Sequence, residues 1–343
     1  MIHPGRSLRT VALLVLFAGS TAIAGVAAPA TFALALDGPV TGAHGPWLHA
    51  SASGAFSAAG LAVTMRYPAG RGAALEALVG GSVDACVADA AAILAARASG
   101  AKLTIVASVG DLHPALVVSP TGSAITSPTD LVGKRIAIDP LDPDRLVFPV
   151  YLAGAGLRLD DIVVVALDRA GGDAALAAGT VDAAIDRFDG DRPGFATLPW
   201  AEDGFLLYGP CIAVRDETLR ARGTAVRSFL KAILATWDTC LDDPGAAAGL
   251  AASTGLVSAA DVEDWLAAEL WRFDTQTYRE KGLGWLDRAR MASTLEAVRA
   301  MLGQPVSFAA VDAFTTAYLP VPAVLRTADE APSEQPATPS LKR

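Results

Sequence analysis

The chain has 343 residues, of which 52% are hydrophobic and 18% charged, which is enough apolar material for two cores and argues against a largely disordered protein. Its net charge of −9 argues against nucleic acid as a partner. The three cysteines can form at most one internal disulfide and their spacing fits no zinc site, so we expect no disulfide scaffold, no metal centre and no cofactor.

The first residues have the pattern of a cleavable export signal. Arg6 and Arg9 precede an apolar run, which is followed by Ala22-Ile23-Ala24, a small-x-small sequence typical of a signal-peptidase site. A retained membrane anchor is the alternative, but Pro29 interrupts the apolar stretch. No cysteine lies near the cleavage site, so a lipid anchor is not expected. The pattern predicts a signal peptide over residues 1–24 and a periplasmic or secreted protein.

Strands and helices alternate after this segment. Such alternation predicts a mainly parallel sheet with helices on both faces, and we assign residues 31–118 to the first part of one lobe. The predicted strands cover residues 31–36, 61–67, 83–88, 103–109 and 116–118, and the predicted helical segments lie within 44–59, 72–79 and 90–98.

A connection rich in Gly, Ser, Thr and Pro at residues 120–128 marks a boundary, after which a new strand series begins at 135–138. We therefore assign residues 119–204 to a second lobe. A strand over 205–214 is predicted to return the chain to the first lobe, which residues 205–319 complete. The predicted helices of this part cover 217–241, 259–271 and 287–301, and the segment 320–343, which has little apolar content, is predicted to be a disordered tail.

One short phrase occurs twice, as Gly81-Ser82-Val83-Asp84-Ala85 and as Gly179-Thr180-Val181-Asp182-Ala183, each time after an alanine-rich run. Glycine can end a helix in the left-handed conformation, and the β-branched valine can then open a strand. The phrase therefore predicts the same helix-to-strand junction in two lobes of related build.

Several short motifs follow one another along the mature chain, and their order is more specific than any one of them. They are His44 to Ala50 with Gly54-Ala55-Phe56, Gly60 to Val63, Val83-Asp84, Leu94 to Gly100, Asp130 to Ile136, Val226 to Ala232, Asp242-Asp243-Pro244 and Gly284 to Asp287. In this order they resemble the secreted solute-binding proteins of ABC importers, in the family that binds thiamine pyrimidine precursors, nitrate, sulfonates and taurine and includes the fungal pyrimidine-precursor synthases. The resemblance covers about residues 31–300.

The resemblance implies a type II periplasmic binding protein fold, in which two lobes, each a mainly parallel sheet flanked by helices, enclose a ligand cleft. It implies a monomer that binds a small heterocycle, such as a pyrimidine precursor of thiamine, and delivers it to a membrane permease without catalysis. Binding of sulfonate, taurine or nitrate is the main alternative, and a synthase-like enzyme and a secreted sensor domain are two others. The family usually has an aromatic residue where Ala55 stands, and the cysteine cluster of the synthases is reduced to Cys211, which together with the export signal argues against the synthase.

Ligands of open α/β sheets bind beyond the carboxyl ends of the strands, so the candidate binding residues are those that follow predicted strands. These loops hold more Asp than Lys or Arg, which favours a ligand with amino N–H donors or a positive charge. Helix N-termini can bind anions as well, and Arg71 and Arg145 keep that option open. The seven candidates are His44, Trp47, Asp89, Asp142, Asp186, Phe188 and Tyr208.

Each of the first four candidates has a structural alternative. Trp47 could stack on a flat ring and His44 could donate or accept a hydrogen bond, but both could also serve the core and its loop. Asp89 is expected first to cap the helix that follows it, and ligand contact is a second role. Asp142 precedes a proline, which is common at a helix start, so it has the same two roles.

The remaining candidates lie in the second lobe and at the return to the first. Asp186 and Phe188 could close over a ligand or form a solvated turn. Tyr208 could line the cleft or pack at the hinge. Trp265 and Trp285 are expected to pack in the core or on a helix surface.

Overall fold

The computed structural model describes residues 28–70, 72–123, 125–142, 144–187, 193–303 and 305–326, together with Met1. The predicted signal peptide, apart from Met1, and the part of the predicted tail beyond Arg326 therefore lie outside the described residues. The disordered tail was predicted to begin at residue 320, but residues 320–326 are packed on the helices: the carbonyl oxygen of Val324 accepts the N–H of Leu283 at 2.8 Å, and Arg326 is buried and pairs with Asp238 and Asp242. No helix in the described part of the chain has the length and apolar character needed to span a membrane.

The described residues form ten strands and eleven α-helices. The strands are β1 (Ala30–Ala35), β2 (Leu61–Arg66), β3 (Ala85–Asp89), β4 (Leu103–Ser108), β5 (Ala115–Pro120), β6 (Arg135–Ile138), β7 (Val163–Ala166), β8 (Ala183–Arg187), β9 (Phe195–Pro199) and β10 (Pro210–Arg215). The helices are α1 (Gly45–Ala52), α2 (Ala55–Ala58), α3 (Ala73–Val79), α4 (Ala90–Ala98), α5 (Asp144–Gly154), α6 (Arg169–Ala177), α7 (Asp216–Asp242), α8 (Pro244–Ala252), α9 (Ala259–Glu269), α10 (Gln276–Lys281) and α11 (Arg288–Leu302).

The strands form two sheets of five, and in each sheet four strands run in one direction. The first sheet has the order β2-β1-β3-β10-β4, with β10 antiparallel to both of its neighbours. The second has the order β7-β6-β8-β5-β9, with β5 antiparallel. Helices flank both sheets, so the predicted α/β fold class of two mainly parallel sheets is confirmed.

Two crossovers join the sheets, residues 109–114 from β4 to β5 and residues 205–209 from the second sheet back to β10. The sequence predicted strand over 205–214, but only the part from Pro210 onward pairs, because the preceding residues pass between the sheets. A Cβ on Gly209 would lie 2.6 Å from Cδ of Pro114, so the two crossovers touch where only glycine fits.

The repeated phrase builds the same junction in each half. Gly81 and Gly179 have φ values of +78° and +67°, the left-handed conformation predicted for them. The carboxylate of Asp84 accepts the N–H of Ala33, and that of Asp182 accepts the N–H of Arg135, both at 2.8 Å. Each aspartate thus ties its junction to the neighbouring parallel strand. Strands β3 and β8 begin at the alanine of the phrase, two residues later than the valine that was predicted to open them.

Candidate functional site

Two cavities of about 220 Å³ each lie side by side where the strands of both sheets end. Both are lined by Asp37, Ala88 and Asp89, so they meet at the carboxyl ends of β1 and β3. We call them the aromatic compartment and the second compartment. The aromatic compartment is lined chiefly by Asp37, His44, Trp47, Asp89, Arg187, Trp237 and Trp265, and the second compartment chiefly by Asp37, Leu75, Asp89, Asp142, Arg145 and Leu146.

A larger groove, of about 690 Å³, lies between α1, α2 and α7. Alanine, serine and threonine line most of it, with His49 and Lys231. It is remote from the strand ends, and none of the described side chains that line it holds a buried polar atom without a partner. The two compartments between the sheets are therefore the candidate site, although the groove is larger.

Two glycines let the loop before α1 lie directly on α9. A Cβ at Gly42 would be 2.0 Å from the carbonyl oxygen of Asp261, and a Cβ at Gly45 would be 2.4 Å from Cγ1 of Val262. Since any larger residue would push the loop away from α9, this contact fixes His44 in the wall of the aromatic compartment.

His44 has both ring nitrogens engaged by the backbone. Nε2 donates to the carbonyl oxygen of Asp37 and Nδ1 accepts the N–H of Thr41, each at 3.0 Å. Burial lowers the pKa of His44, and the contacts to Asp37 and Thr41 only oppose that shift, so the ring is neutral. A ligand would have to compete with these bonds, and the geometry favours His44 as the residue that shapes the loop.

Three tryptophans from α1, α7 and α9 form one wall of the aromatic compartment. Trp47 meets Trp237 edge-on, with centroids 6.1 Å apart and planes at 83°, and Trp237 meets Trp265 at 5.8 Å and 64°. Phe273 stacks on Trp237 with centroids 4.7 Å apart. Trp47 is only 3% exposed, so it packs in the core and lines the cavity at once. Trp265, which was expected to pack in the core or on a helix surface, also lines the compartment.

Asp89 stands at the junction of the two compartments. It occupies the N-cap position of α4, but its carboxylate makes no capping hydrogen bond, so the predicted capping role is wrong. Its Oδ2 accepts a hydrogen bond from Nη2 of Arg187 at 2.9 Å, whereas its Oδ1 is buried without a partner among the described residues. Burial raises the pKa of Asp89, and Arg187 opposes the shift. An N–H donor that entered the cleft would satisfy Oδ1.

Arg187 reaches across the cleft from the end of β8. It binds Asp144 with two hydrogen bonds, from Nε at 2.9 Å and from Nη2 at 2.7 Å, in addition to its bond to Asp89 in the other half. Burial lowers the pKa of Arg187, but the negative charges of Asp144 and Asp89 raise it by more, so the pKa lies well above its ordinary value. Arg187 was not among the seven candidates, although a basic residue at the end of a predicted strand was an available signal.

Asp89, His113 and Asp144 each offer an oxygen or nitrogen atom within 4.8 Å of the others, a spacing that a metal ion could use. Arg187 already donates to both carboxylates and supplies the positive charge at this point. Burial, and after it the charge of Arg187, lowers the pKa of His113 to about 3. The neutral ring stacks on Trp200 with centroids 5.7 Å apart. We therefore interpret this cluster as an ion-pair network that joins the two halves.

Asp37 is a site residue that the sequence analysis missed. Its two carboxylate oxygens accept the N–H groups of Gly72 and Ala74, both at 2.7 Å, and so hold the start of α3 beside the cleft. Its position directly after the first predicted strand was the signal that could have found it.

Asp142 and Asp186 lie close in the second half but have different surroundings. Asp142 accepts the N–H of Asp144 at 2.8 Å, as expected of a residue at a helix start, and it also lines the second compartment. Asp186 does not line the second compartment; it lines a neighbouring narrow pocket to which Asp142 also contributes, and it pairs with Arg169, whose Nε is 3.5 Å from its Oδ2.

Tyr208 lies in the second crossover and is 1% exposed. Its hydroxyl accepts the N–H of Asp287 at 2.6 Å, and the guanidinium of Arg290 lies over its ring at 5.1 Å. It lines neither compartment, which corresponds to the hinge-packing alternative. Phe188 lies outside the described residues.

Solved structures similar to this chain include both binding proteins and an enzyme. The alkanesulfonate-binding protein SsuA from Xanthomonas axonopodis pv. citri, bound to MOPS, is 21% identical with a TM-score of 0.59, over 84% of this chain and 99% of that chain. A putative periplasmic sulfonate-binding SsuA from Methylobacillus flagellatus is 18% identical with a TM-score of 0.64, over 85% and 93%. A mutant of the desulfurization enzyme DszB with biphenyl-2-sulfinic acid is 18% identical with a TM-score of 0.56, over 84% and 97%. These likenesses show a shared fold.

Sequence comparison identifies the family. No curated protein matches the chain significantly. The model of the family described as NMT1/THI5 like matches residues 41–247, which is more than half of the chain and includes the loop of His44, Asp89, Arg187 and Trp237. The chain belongs to the NMT1/THI5-like family.

Proposed function

We propose that this protein binds a small aminated heterocycle, such as a pyrimidine precursor of thiamine, between its two halves and delivers it to the permease of an ABC importer. The observation that carries the proposal is the buried Oδ1 of Asp89, which has no partner among the described residues and lies beside a wall of three tryptophans. A flat ring would stack in this wall while an amino group donates to Oδ1. A micromolar affinity, about −8 kcal/mol, would suffice for scavenging.

Sulfonate binding is the second candidate function. Two arginines favour it, since Arg187 borders the aromatic compartment and Arg145 is exposed and makes no ion pair with any described residue. The SsuA proteins, described as sulfonate-binding, share the fold. Against it, Arg187 is already shared by two aspartates and three carboxylates line the second compartment, so an anion would meet an excess of negative charge.

Enzymatic turnover has less support from the geometry. Cys211 is fully buried in β10, and burial raises the pKa of its thiol, which disfavours a reactive thiolate. His44 holds both ring nitrogens in hydrogen bonds to the backbone. We therefore propose binding without catalysis or cofactor, by an exported monomer in the periplasm or outside the cell. A secreted sensor would use the same cleft, and a permease gene beside this one, rather than a kinase gene, would favour transport.

Native mass spectrometry of the mature protein purified from its own host tests the proposal, followed by denaturing release and identification of the bound molecule. An intact aminopyrimidine is the expected result, and a sulfonate or an altered pyrimidine would support the alternatives instead. Asp89→Asn should retain about a tenth of the ligand or less, because a hydrogen bond to a charged group contributes ~1.5–3 kcal/mol. Asp160→Asn, at a side chain that is 89% exposed, should carry as much ligand as the wild type.

A further inference from the structure

We infer that the ligand is bound as a cation: an aminated ring that carries a proton, held between the carboxylate of Asp89 and the faces of the tryptophan wall. The inference rests on the proposed function and adds to it the charge state of the bound molecule.

The balance of charge around the cleft favours a cationic ligand. Three guanidiniums and five carboxylates line the two compartments or pair with an arginine that does. His44 and His113 are neutral, because burial lowers the pKa of both. Burial also raises the pKa of Asp89 and Glu269, and Arg187 and Arg272 oppose that shift. With both carboxylates ionised the site lacks positive charge, and a bound cation would supply it. The carboxylates are Asp37, Asp89, Asp142, Asp144 and Glu269, and the guanidiniums are Arg145, Arg187 and Arg272.

Asp89 keeps one carboxylate oxygen available as an acceptor for the ligand. Both oxygens of Asp37 accept backbone N–H groups, and an oxygen of Asp142 accepts the N–H of the residue that begins α5. The charged and titratable groups that face Asp89 are Arg187 from β8, Asp144 from α5, His113 from the first crossover and the buried thiol of Cys211 from β10. Among these only Arg187 donates to Asp89, and it uses Oδ2. The buried Oδ1 remains for a donor from the ligand.

The wall of three tryptophans also favours a cation. Trp47, Trp237 and Trp265 pack on one another at steep angles and all line the aromatic compartment, so a ring bound in the compartment would lie against indole. The negative face of an indole attracts a cation more strongly than a neutral ring, and a partly desolvated cleft strengthens that attraction. A neutral heterocycle would also stack on the tryptophans. It would not be attracted by the charge of Asp89 or by the negative faces of the indoles.

This arrangement has a measurable consequence, because the ring of an aminopyrimidine is protonated in water only below neutral pH. A ring that binds as a cation to an ionised Asp89 at neutral pH must therefore take up a proton from solvent as it binds. The proton would reside on the ring nitrogen, opposite Oδ1 of Asp89. The affinity should then rise as the pH falls toward the pKa of the free ring.

Titration calorimetry with a hydroxymethyl aminopyrimidine, in two neutral buffers of different ionisation enthalpy, measures this proton uptake. The matched probe is aminobenzyl alcohol, which has the same substituents on a benzene ring and no ring nitrogen to protonate. We expect uptake of about one proton per pyrimidine and none for the benzene analogue, which should bind at least ~10-fold more weakly. The ultraviolet absorbance of the bound pyrimidine should show the protonated ring. Asp89→Asn should abolish the proton uptake, and Asp160→Asn should preserve it.

The possible failures are distinguishable. Four outcomes would each overturn the cationic ligand while leaving a heterocycle-binding protein. They are tight pyrimidine binding without proton uptake, the absorbance of a neutral bound ring, equal affinity for the benzene analogue, and proton uptake that persists in Asp89→Asn. If neither compound binds, the proposed function itself fails and the inference fails with it.

Discussion

His113 and Arg187 occupy one buried corner of the cleft, and only one of them can be charged there. The Nδ1 atom of His113 accepts the N–H of Ala115 at 3.2 Å, and its Nε2 lies 3.8 Å from a carboxylate oxygen of Asp144. In isolation that aspartate would favour a protonated histidine. Because Arg187 already binds Asp144 with two hydrogen bonds and the corner is buried, the histidine stays neutral. A protonated His113 would have to share Asp144 with Arg187, and its charge would be desolvated beside that guanidinium.

The neutrality of His113 predicts a loss of stability in acid. Its folded-state pKa of about 3 lies below the ordinary value of 6.5, so between these values the unfolded chain binds more protons. The free energy of unfolding should therefore fall as the pH drops below about 6.5, by at most about 1.4 kcal/mol per pH unit from this group. His113→Gln should lose stability at neutral pH, because it loses the stack on Trp200, but should decline less steeply toward acid. Urea unfolding at about pH 7 and about pH 5 measures both effects.

A neighbouring variant separates titration from packing. Phe205 meets the ring of His113 edge-on, with centroids 5.4 Å apart. Phe205→Leu removes this contact without removing a titrating group, so it should lower stability equally at both pH values. If His113→Gln and the wild type lost the same stability on acidification, the neutral histidine would have to be abandoned.

At the scale of elements, the contact between the His44 loop and α9 determines the shape of the aromatic compartment. Gly42 and Gly45 press against Asp261 and Val262, some 220 residues later in the chain. Because of this contact Trp265 on α9 stands beside Trp47 on α1 and lines the same cavity. The compartment is therefore a product of helix packing as much as of strand ends.

Gly42→Ala tests this contact. Its Cβ would overlap the carbonyl oxygen of Asp261, so the loop must move, and we expect a loss of about 1–3 kcal/mol in the free energy of unfolding. Ligand affinity should fall at least ~10-fold, because His44 moves with the loop. Gly249→Ala in α8 is the matched control, since its Cβ would meet nothing within 4 Å and alanine favours a helix by ~1 kcal/mol. Thermal unfolding and calorimetric titration provide both readouts, and unchanged binding in Gly42→Ala would contradict this role of the loop.

The elements themselves were largely accessible from the sequence, and the site only in part. Helix α4 and strand β6 have the predicted bounds, because hydrophobic periodicity and the glycines that end helices are local features of the sequence. Asp89 was found as a candidate by its place at a strand end, yet its capping role was wrong because Arg187, 98 residues away, draws its carboxylate across the cleft. Trp265 was expected in helix packing because no local pattern shows which helix face borders a cavity.

At the scale of the whole molecule, the two sheets have matching architecture. In each, the antiparallel strand is the first one that the chain forms after a crossover, β5 on entering the second half and β10 on returning. One apolar cluster continues through the crossovers, from Ile105 to Val117 and Tyr208, so the joint is a packed element. Across the open side of the cleft, the ion pair of Arg187 with Asp89 connects the halves. The separation of the two halves should therefore depend on this pair.

Arg187→Gln should open the cleft. The change leaves Asp89 and Asp144 facing each other without the guanidinium that both share, so they should repel one another across the gap. We expect a larger radius of gyration for the ligand-free protein by small-angle X-ray scattering, and a loss of about 3 kcal/mol or less in the free energy of unfolding, because the arginine side chain is still 24% exposed. Adding Asp89→Asn should restore part of the compactness, since one of the repelling charges is gone. Arg169→Gln, which alters an ion pair within the second half, should leave the scattering unchanged. If Arg187→Gln scattered like the wild type, the packed crossovers alone, and not this pair, would set the separation of the halves.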